Sequence, residues 1–286
     1  MRLGSIDFGA TGYAVMAIVN RTPDSFFDRG ATYTDAAALD RVAQVVSEGA
    51  SIVDIGGVKA GYGPTVDVAE ELRRTVPFVA EVRSRFPSVV ISVDTWRSEV
   101  ARAACLAGAD LLNDTWAGAD PALAEVAAEF SVGLVCSHTG GLPPRTDPHR
   151  VAYSDVMASV VEGTLSLASR AVSVGVRPDG ILLDPTHDFG KNTWQSLEIS
   201  RRLDELVATG YAVLVALSNK KFVGETLDLP EPSDRLAGTL AVTALAAWQG
   251  ARVFRAHQVP ETLQVLDMIA SVRGDRPPIA ARRGLY

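Results

Sequence analysis

Only two cysteines occur in the 286 residues, Cys105 in an Ala-rich helical stretch and Cys136 in an apolar run, and neither belongs to a CxxC or other metal-ligand spacing. This excludes a disulfide framework and a zinc module, and reads as two free thiols in a reducing compartment. Long hydrophobic runs are also missing: the most apolar, Leu236 to Trp248, is too short and too Thr-rich to span a bilayer, which takes about 20 apolar residues. The start, Met1 to Asp7, brings an acid before any apolar stretch long enough for a signal peptide, so a soluble, cytoplasmic protein is expected. Basic charge is in deficit, 27 Lys plus Arg against 34 Asp plus Glu, without a basic run. Nucleic acid and anionic membrane surfaces are therefore not expected partners. The four histidines form no HExxH and no pair at helical spacing, and there is no GxSxG, GxxxxGK[ST] or GxGxxG. Nucleophilic hydrolysis and P-loop nucleotide binding are set aside.

What is present is a globular composition, 47% hydrophobic and 21% charged. Eight short runs rich in Val, Ile and Leu each precede a turn signal and a helical pattern: 13–19, 51–55, 89–93, 110–112, 132–136, 180–183, 211–217 and 252–254. They recur about every 34 residues, the size of a βα unit. Near-continuous apolar strands belong to parallel sheets buried on both faces. The segments between them read as amphipathic helices, such as 67–85 and 195–208. Eightfold alternation predicts a (β/α)8 TIM barrel forming a single domain over 1–286, with a doubly wound open sheet as the alternative. The Pro- and Arg-rich tail, 276–286, is expected to lie loosely on the surface.

In such a barrel the site is built at the strand ends. These carry Asn20, Asp54, Asp94, Asn113, Ser137 with His138, Asp184, Ser218 with Lys220, and Arg255 with His257. Ordinary helix capping accounts for Asp54 and part of Ser137. Asp94, Asn113 and Asp184 would bring two carboxylates and an amide over one small mouth, which suits the edge of a flat amino-pyrimidinone ring. The chain has only four lysines, Lys59, Lys191, Lys220 and Lys221, all in loops after strands. Surface solvation accounts for Lys59 and Lys221. A lysine can also serve as a point-charge donor to a ring carbonyl or phosphate. Arg255 and His257 project from one strand end two residues apart, and with a metal or helix N-terminus would form an anion site.

The run Met16-Ala17-Ile18-Val19-Asn20-Arg21-Thr22-Pro23-Asp24-Ser25-Phe26 resembles the first signature of the dihydropteroate synthases. Asp54-Ile55-Gly56-Gly57, Ser92-Val93-Asp94-Thr95, Asn113-Asp114, Asp184-Pro185 with Phe189-Gly190-Lys191, Ser218 to Gly224, and Arg255-Ala256-His257 follow in family order. The similarity runs from Tyr13 to Val259. The resemblance implies substrates: a dihydropterin pyrophosphate that loses pyrophosphate, and p-aminobenzoate, or sulfa-type analogues, in the second position. It implies that Asp94, Asn113, Asp184 and Lys220 hold the pterin ring with Phe189 and Ser218 nearby. Asn20 would stand beside a Mg²⁺ on the pyrophosphate, and Arg255 with His257 would receive its charge. It also implies a homodimer formed through the late helices, for which the small-residue run 237–247 is a candidate contact.

The departures matter as much as the matches. After Gly56-Gly57 the family shows Glu-Ser-Thr-Arg-Pro, and this chain has Val58-Lys59-Ala60-Gly61-Tyr62. The family's Ser-Arg-Lys becomes Ser218-Asn219-Lys220, and its Gly-rich turn becomes Thr186-His187-Asp188, which is expected to bring bulk and a carboxylate close to the pterin. Each lost charge-assisted contact costs about 3 kcal/mol, or about a hundredfold in rate. These departures resemble those of an inactive branch of the family, the second synthase copy of mycobacteria and related actinobacteria. The expectation is a homologue with little or no synthase activity, the alternative being a working synthase of folate biosynthesis.

Overall fold

The computed structural model describes residues 1–22, 34–59, 61, 63–146 and 151–283. Pro23 to Phe26 of the first signature, and Ala60 and Tyr62 of the second, lie outside the described residues.

The apolar runs form the strands β3 (Ala14–Asn20), β4 (Ile52–Gly56), β5 (Val90–Asp94), β6 (Leu111–Asp114), β7 (Gly133–Ser137), β8 (Ile181–Asp184), β9 (Ala212–Val215) and β10 (Val253–Ala256). All pair in parallel, in chain order, and β10 closes onto β3. This is the expected (β/α)8 barrel. The run expected over 211–217 is shorter, because only Ala212–Val215 follow the ladder. An antiparallel hairpin, β1 (Arg2–Leu3) with β2 (Ile6–Asp7), precedes the barrel. It packs the fully buried Leu3 onto Ala14, Met16, Ile52, Leu111 and Val253, closing the barrel floor.

Helices α1 (Asp35–Ser47), α2 (Val68–Arg85), α3 (Ser98–Leu106), α4 (Ala122–Glu129), α5 (Val156–Ser173), α6 (Thr193–Arg201), α7 (Leu203–Val207), α8 (Lys221–Leu227), α9 (Leu236–Gln249) and α10 (Val259–Arg273) surround the barrel. Their starts follow local chemistry: Asp67 and Asp155 accept N–H groups of the first turn, and Asn192 with Gln195 forms a capping box. The single helix expected over 195–208 is two. Arg202, with ψ of 20°, breaks it while its guanidinium pairs with Asp155, Glu198 and Glu205. No helix among the described residues is long and apolar enough to cross a membrane. In the tail, Arg276 pairs with Asp267, and residues 277–283 are exposed without helix or strand.

The strand period of two sorts the side chains. Val15, Ala17, Val53 and Ile91 face the helices in the larger core, while Met16, Ile52, Val90 and Leu111 fill the barrel floor. The next inward layer up brings in the polar Asp54 and Ser92 beside Ile18, and above it Asn20, Gly56, Asp94 and Asn113 stand abreast in register.

Candidate active site

Asp54 is the hub of the polar layer. It is fully buried. Its Oδ1 accepts from Ser92 Oγ at 2.6 Å, its two oxygens accept from Asn113 Nδ2 at 3.3 and 3.2 Å, and its Oδ2 accepts from Arg255 Nε at 2.7 Å. Read from sequence as a helix cap, Asp54 caps nothing here. It follows Ile52 by two residues on the inward face of β4, and that alternation was the signal for it. Arg255 extends Nη2 to Asp94 Oδ2 at 3.5 Å, and Thr115 Oγ1 donates to Asp94 Oδ1 at 2.9 Å. Burial, then the nearby charge of Asp54, raises the pKa of Asp94 against the pull of Arg255.

The loops after β8 and β9 interlock. Asp184 is buried, and its Oδ1 accepts from the Thr186 amide at 2.7 Å. Burial raises its pKa, opposed by Lys220 and that amide. Thr186 and Asp188 hold φ values of 53° and 71°, left-handed backbone that non-glycine residues seldom adopt. This turn directs the Asp188 carboxylate onto the Lys221 amide at 2.7 Å and the Phe222 amide at 3.2 Å. The carboxylate expected close to the ring is engaged at the start of α8 and lies near Lys220. Lys220 Nζ donates to the His187 carbonyl and stands 4.9 Å from the centre of the Phe189 ring, which packs edge-on against Trp116 at 5.6 Å. Lys191, expected simply in a loop, is 2% exposed. Its Nζ donates to the carbonyls of His138 at 2.6 Å, Phe189 at 2.8 Å and Thr186 at 3.2 Å. Burial lowers its pKa to about 7. Trp116 and Lys191 were missed as pocket-building residues, since neither an aromatic nor a loop lysine announces its partner in sequence.

On the other side, Ser218 Oγ lies 2.9 Å from His257 Nδ1 and accepts from the His257 amide at 3.2 Å. Burial, then Arg255 and Arg41, lowers the His257 pKa to about 3, so the ring is neutral at physiological pH. The anion site expected from Arg255 with His257 therefore holds one cation, itself paired with two carboxylates. A Cβ built at Gly56 would stand 3.6 Å from Asn20 Oδ1 and 3.9 Å from Asp94 Oδ2. Two hard oxygens thus flank a gap that glycine keeps clear. Among the described residues no group of three or more His, Cys, Asp or Glu could hold a metal ion. The Asn20 and Asp94 oxygens are hard donors of the kind Mg²⁺ takes, together with phosphate oxygens and waters.

The β4–α2 loop offers little. Val58 is 5% exposed, and no atom of the described residues lies within 4 Å of where a Cβ at Gly61 would stand. Asn219 is fully buried at φ 56°, with its amide on Thr239 and its side chain near Gln258. It presents no group to the mouth.

A family model described as pterin binding enzyme matches residues 16–257. A curated protein of Mycobacterium leprae named inactive dihydropteroate synthase 2 is 58% identical over 275 residues, covering 95% of this chain and 94% of its own. Two solved structures show the same architecture. The Yersinia pestis dihydropteroate synthase in complex with a sulfonamide drug is 34% identical with a TM-score of 0.88, covering 95% of this chain and 97% of its own. The Xanthomonas albilineans enzyme in complex with 7,8-dihydropteroate is 35% identical with a TM-score of 0.80, covering 91% and 94%.

Proposed function

The chain belongs to the pterin-binding enzyme family as a dihydropteroate synthase homologue, and from that premise we propose that it keeps a pterin-ring pocket while having little or no synthase activity. Asp94, Asn113, Asp184 and Lys220 with Phe189 would receive the ring edge and face, with Ser218 at the margin. Asn20 would stand beside Mg²⁺, which when bound neutralises pyrophosphate oxygens. Arg255 and the neutral His257 would donate hydrogen bonds to that leaving group.

The observation that carries this reading is Gly61, which offers no side chain where the family has a guanidinium, and no described residue reaches the place of its missing Cβ. With Asn219 buried as well, two charge-assisted contacts on the second-substrate side are missing. At about a hundredfold each, their loss supports a rate deficit of about ten-thousandfold.

The same reading includes a homodimer. Leu245 and Trp248 on α9 and Met268 and Val272 on α10 are 40%, 54%, 61% and 57% exposed, an apolar surface that supports a self-contact. Two buried free cysteines and the acidic balance support a cytoplasmic location.

The test is calorimetric titration with 6-hydroxymethyl-7,8-dihydropterin pyrophosphate and Mg²⁺, with and without p-aminobenzoate, assaying product in the same samples. Binding without dihydropteroate formation is expected. Turnover at the rate of a working synthase would overturn the inactivity; no binding would overturn the retained pocket.

A further inference from the structure

Asp188 touches none of the ring-facing groups named above through its carboxylate, yet it is placed to govern one of them. The carboxylate accepts from the first two amides of α8, Lys221 at 2.7 Å and Phe222 at 3.2 Å, and Lys220 is the residue from which that helix starts. Three further contacts join the same two loops: Lys220 Nζ to the His187 carbonyl, Lys220 Nζ over Phe189 at 4.9 Å, and His187 stacked on Phe222 at 5.4 Å. Behind them, the Asp188 amide donates to Ser196 Oγ at 3.2 Å, anchoring the turn to α6. We propose that Asp188 is a positioning residue of the ring pocket: by binding the start of α8 it fixes the Lys220 ammonium over Phe189 and gives it a carboxylate neighbour.

This inference rests on the pterin-pocket reading for its consequence but not for its test. Lys220 is faced by Asp184 and Asp188 of one sign and by Lys191 and Arg255 of the other. Burial lowers its pKa, and Asp188 opposes that most strongly. Removing the Asp188 charge therefore destabilises the ammonium, and removing the cap as well frees the place where Lys220 stands.

With only four lysines in the chain, ¹³C,¹⁵N-lysine labelling gives side-chain signals few enough to assign, and K220R identifies that of Lys220. Asp188→Ser keeps an oxygen able to cap α8 without the charge, and Asp188→Gly removes both. In D188S the Lys220 titration midpoint is expected to fall by about one pH unit with melting temperature preserved. The pH at which affinity for 6-hydroxymethylpterin declines should fall with it. D188G is expected to shift the Lys220 signal further and weaken pterin binding about tenfold. A Lys220 midpoint and signal position unchanged in both variants would overturn the proposal. Failure of the unmodified protein to bind the pterin would instead overturn the pocket reading, leaving the Lys220 signal to decide the role of Asp188.

Discussion

Around β8 and β9 the loops are fastened by their own side chains, Lys191 on three carbonyls, Asp188 on α8 and Lys220 on His187, whereas the β4–α2 loop is fastened through its backbone. Arg74 Nη1 reaches the Gly57 carbonyl at 3.1 Å, Arg97 Nη2 that of Val66 at 2.8 Å, and Arg145 those of Gly61 at 3.2 Å and Pro64 at 2.7 Å. A loop held by its carbonyls accepts almost any side chain. A loop held by its side chains does not. In the proposed pocket this difference would let the ring-facing groups persist while second-substrate groups are shed without unfolding, since Lys220 and Asn113 also brace the barrel mouth.

The largest effect is expected where holding and facing coincide. Asp54→Ala leaves the Arg255 guanidinium without its closest carboxylate and strips Ser92 and Asn113 of an acceptor, so it should cost about 3–5 kcal/mol in urea unfolding. A loss below about 1 kcal/mol would mean the polar layer is not what holds the ring side. Next comes a gain: Ala60→Thr with Gly61→Arg should raise dihydropteroate synthesis about a hundredfold over background with little change in melting temperature, because no described residue lies within 4 Å of the Cβ that Gly61 lacks. Unchanged turnover would count against missing contacts as the cause. Arg at position 219 is a poor third restoration, since Asn219 is fully buried in left-handed backbone.

How much of this could be read beforehand follows the same division. The barrel was legible because buried parallel strands write near-continuous apolar runs, and all eight stand within two residues of their expected places. Asp94, Asn113, Asp184 and Lys220 were legible as strand-end polar residues. Asp54 was misread because an Asp near a strand end reads as readily as a cap as it does as a core acid, and only its register with Ser92 decides. The direction of Asp188 was not legible, since it depends on left-handed φ values at Thr186 and Asp188 that their residue types do not advertise.

A pH comparison sharpens the picture of the braced side. His138 is 6% exposed, and burial, then Lys191, lowers its pKa to about 3. The folded state keeps it neutral where the unfolded chain, with a pKa near 6.5, takes up a proton. Its contribution is full above that value and is lost as pH falls through it. Relative to His138→Gln, the unmodified protein should lose about 2 kcal/mol between pH 7 and pH 5 in urea titrations. Parallel pH profiles for the two proteins would place the His138 ring in a wetter setting than its burial indicates.

The smallest effect belongs to the loosely held side. Arg145 sits at φ 63°, so Arg145→Gly relieves left-handed strain worth about 0.5–1 kcal/mol while removing hydrogen bonds worth about 1 kcal/mol each net. The hydrogen-bond loss outweighs the strain relief, and global stability should fall by about 1–1.5 kcal/mol. The local consequence is sharper: with two carbonyl contacts gone, exchange of the Gly61, Gly63 and Thr65 amides should accelerate while that of residues 184–191 stays unchanged. If exchange quickened equally in both segments, the two halves of the mouth would be one cooperative unit, and the contrast between side-chain and backbone fastening would fail.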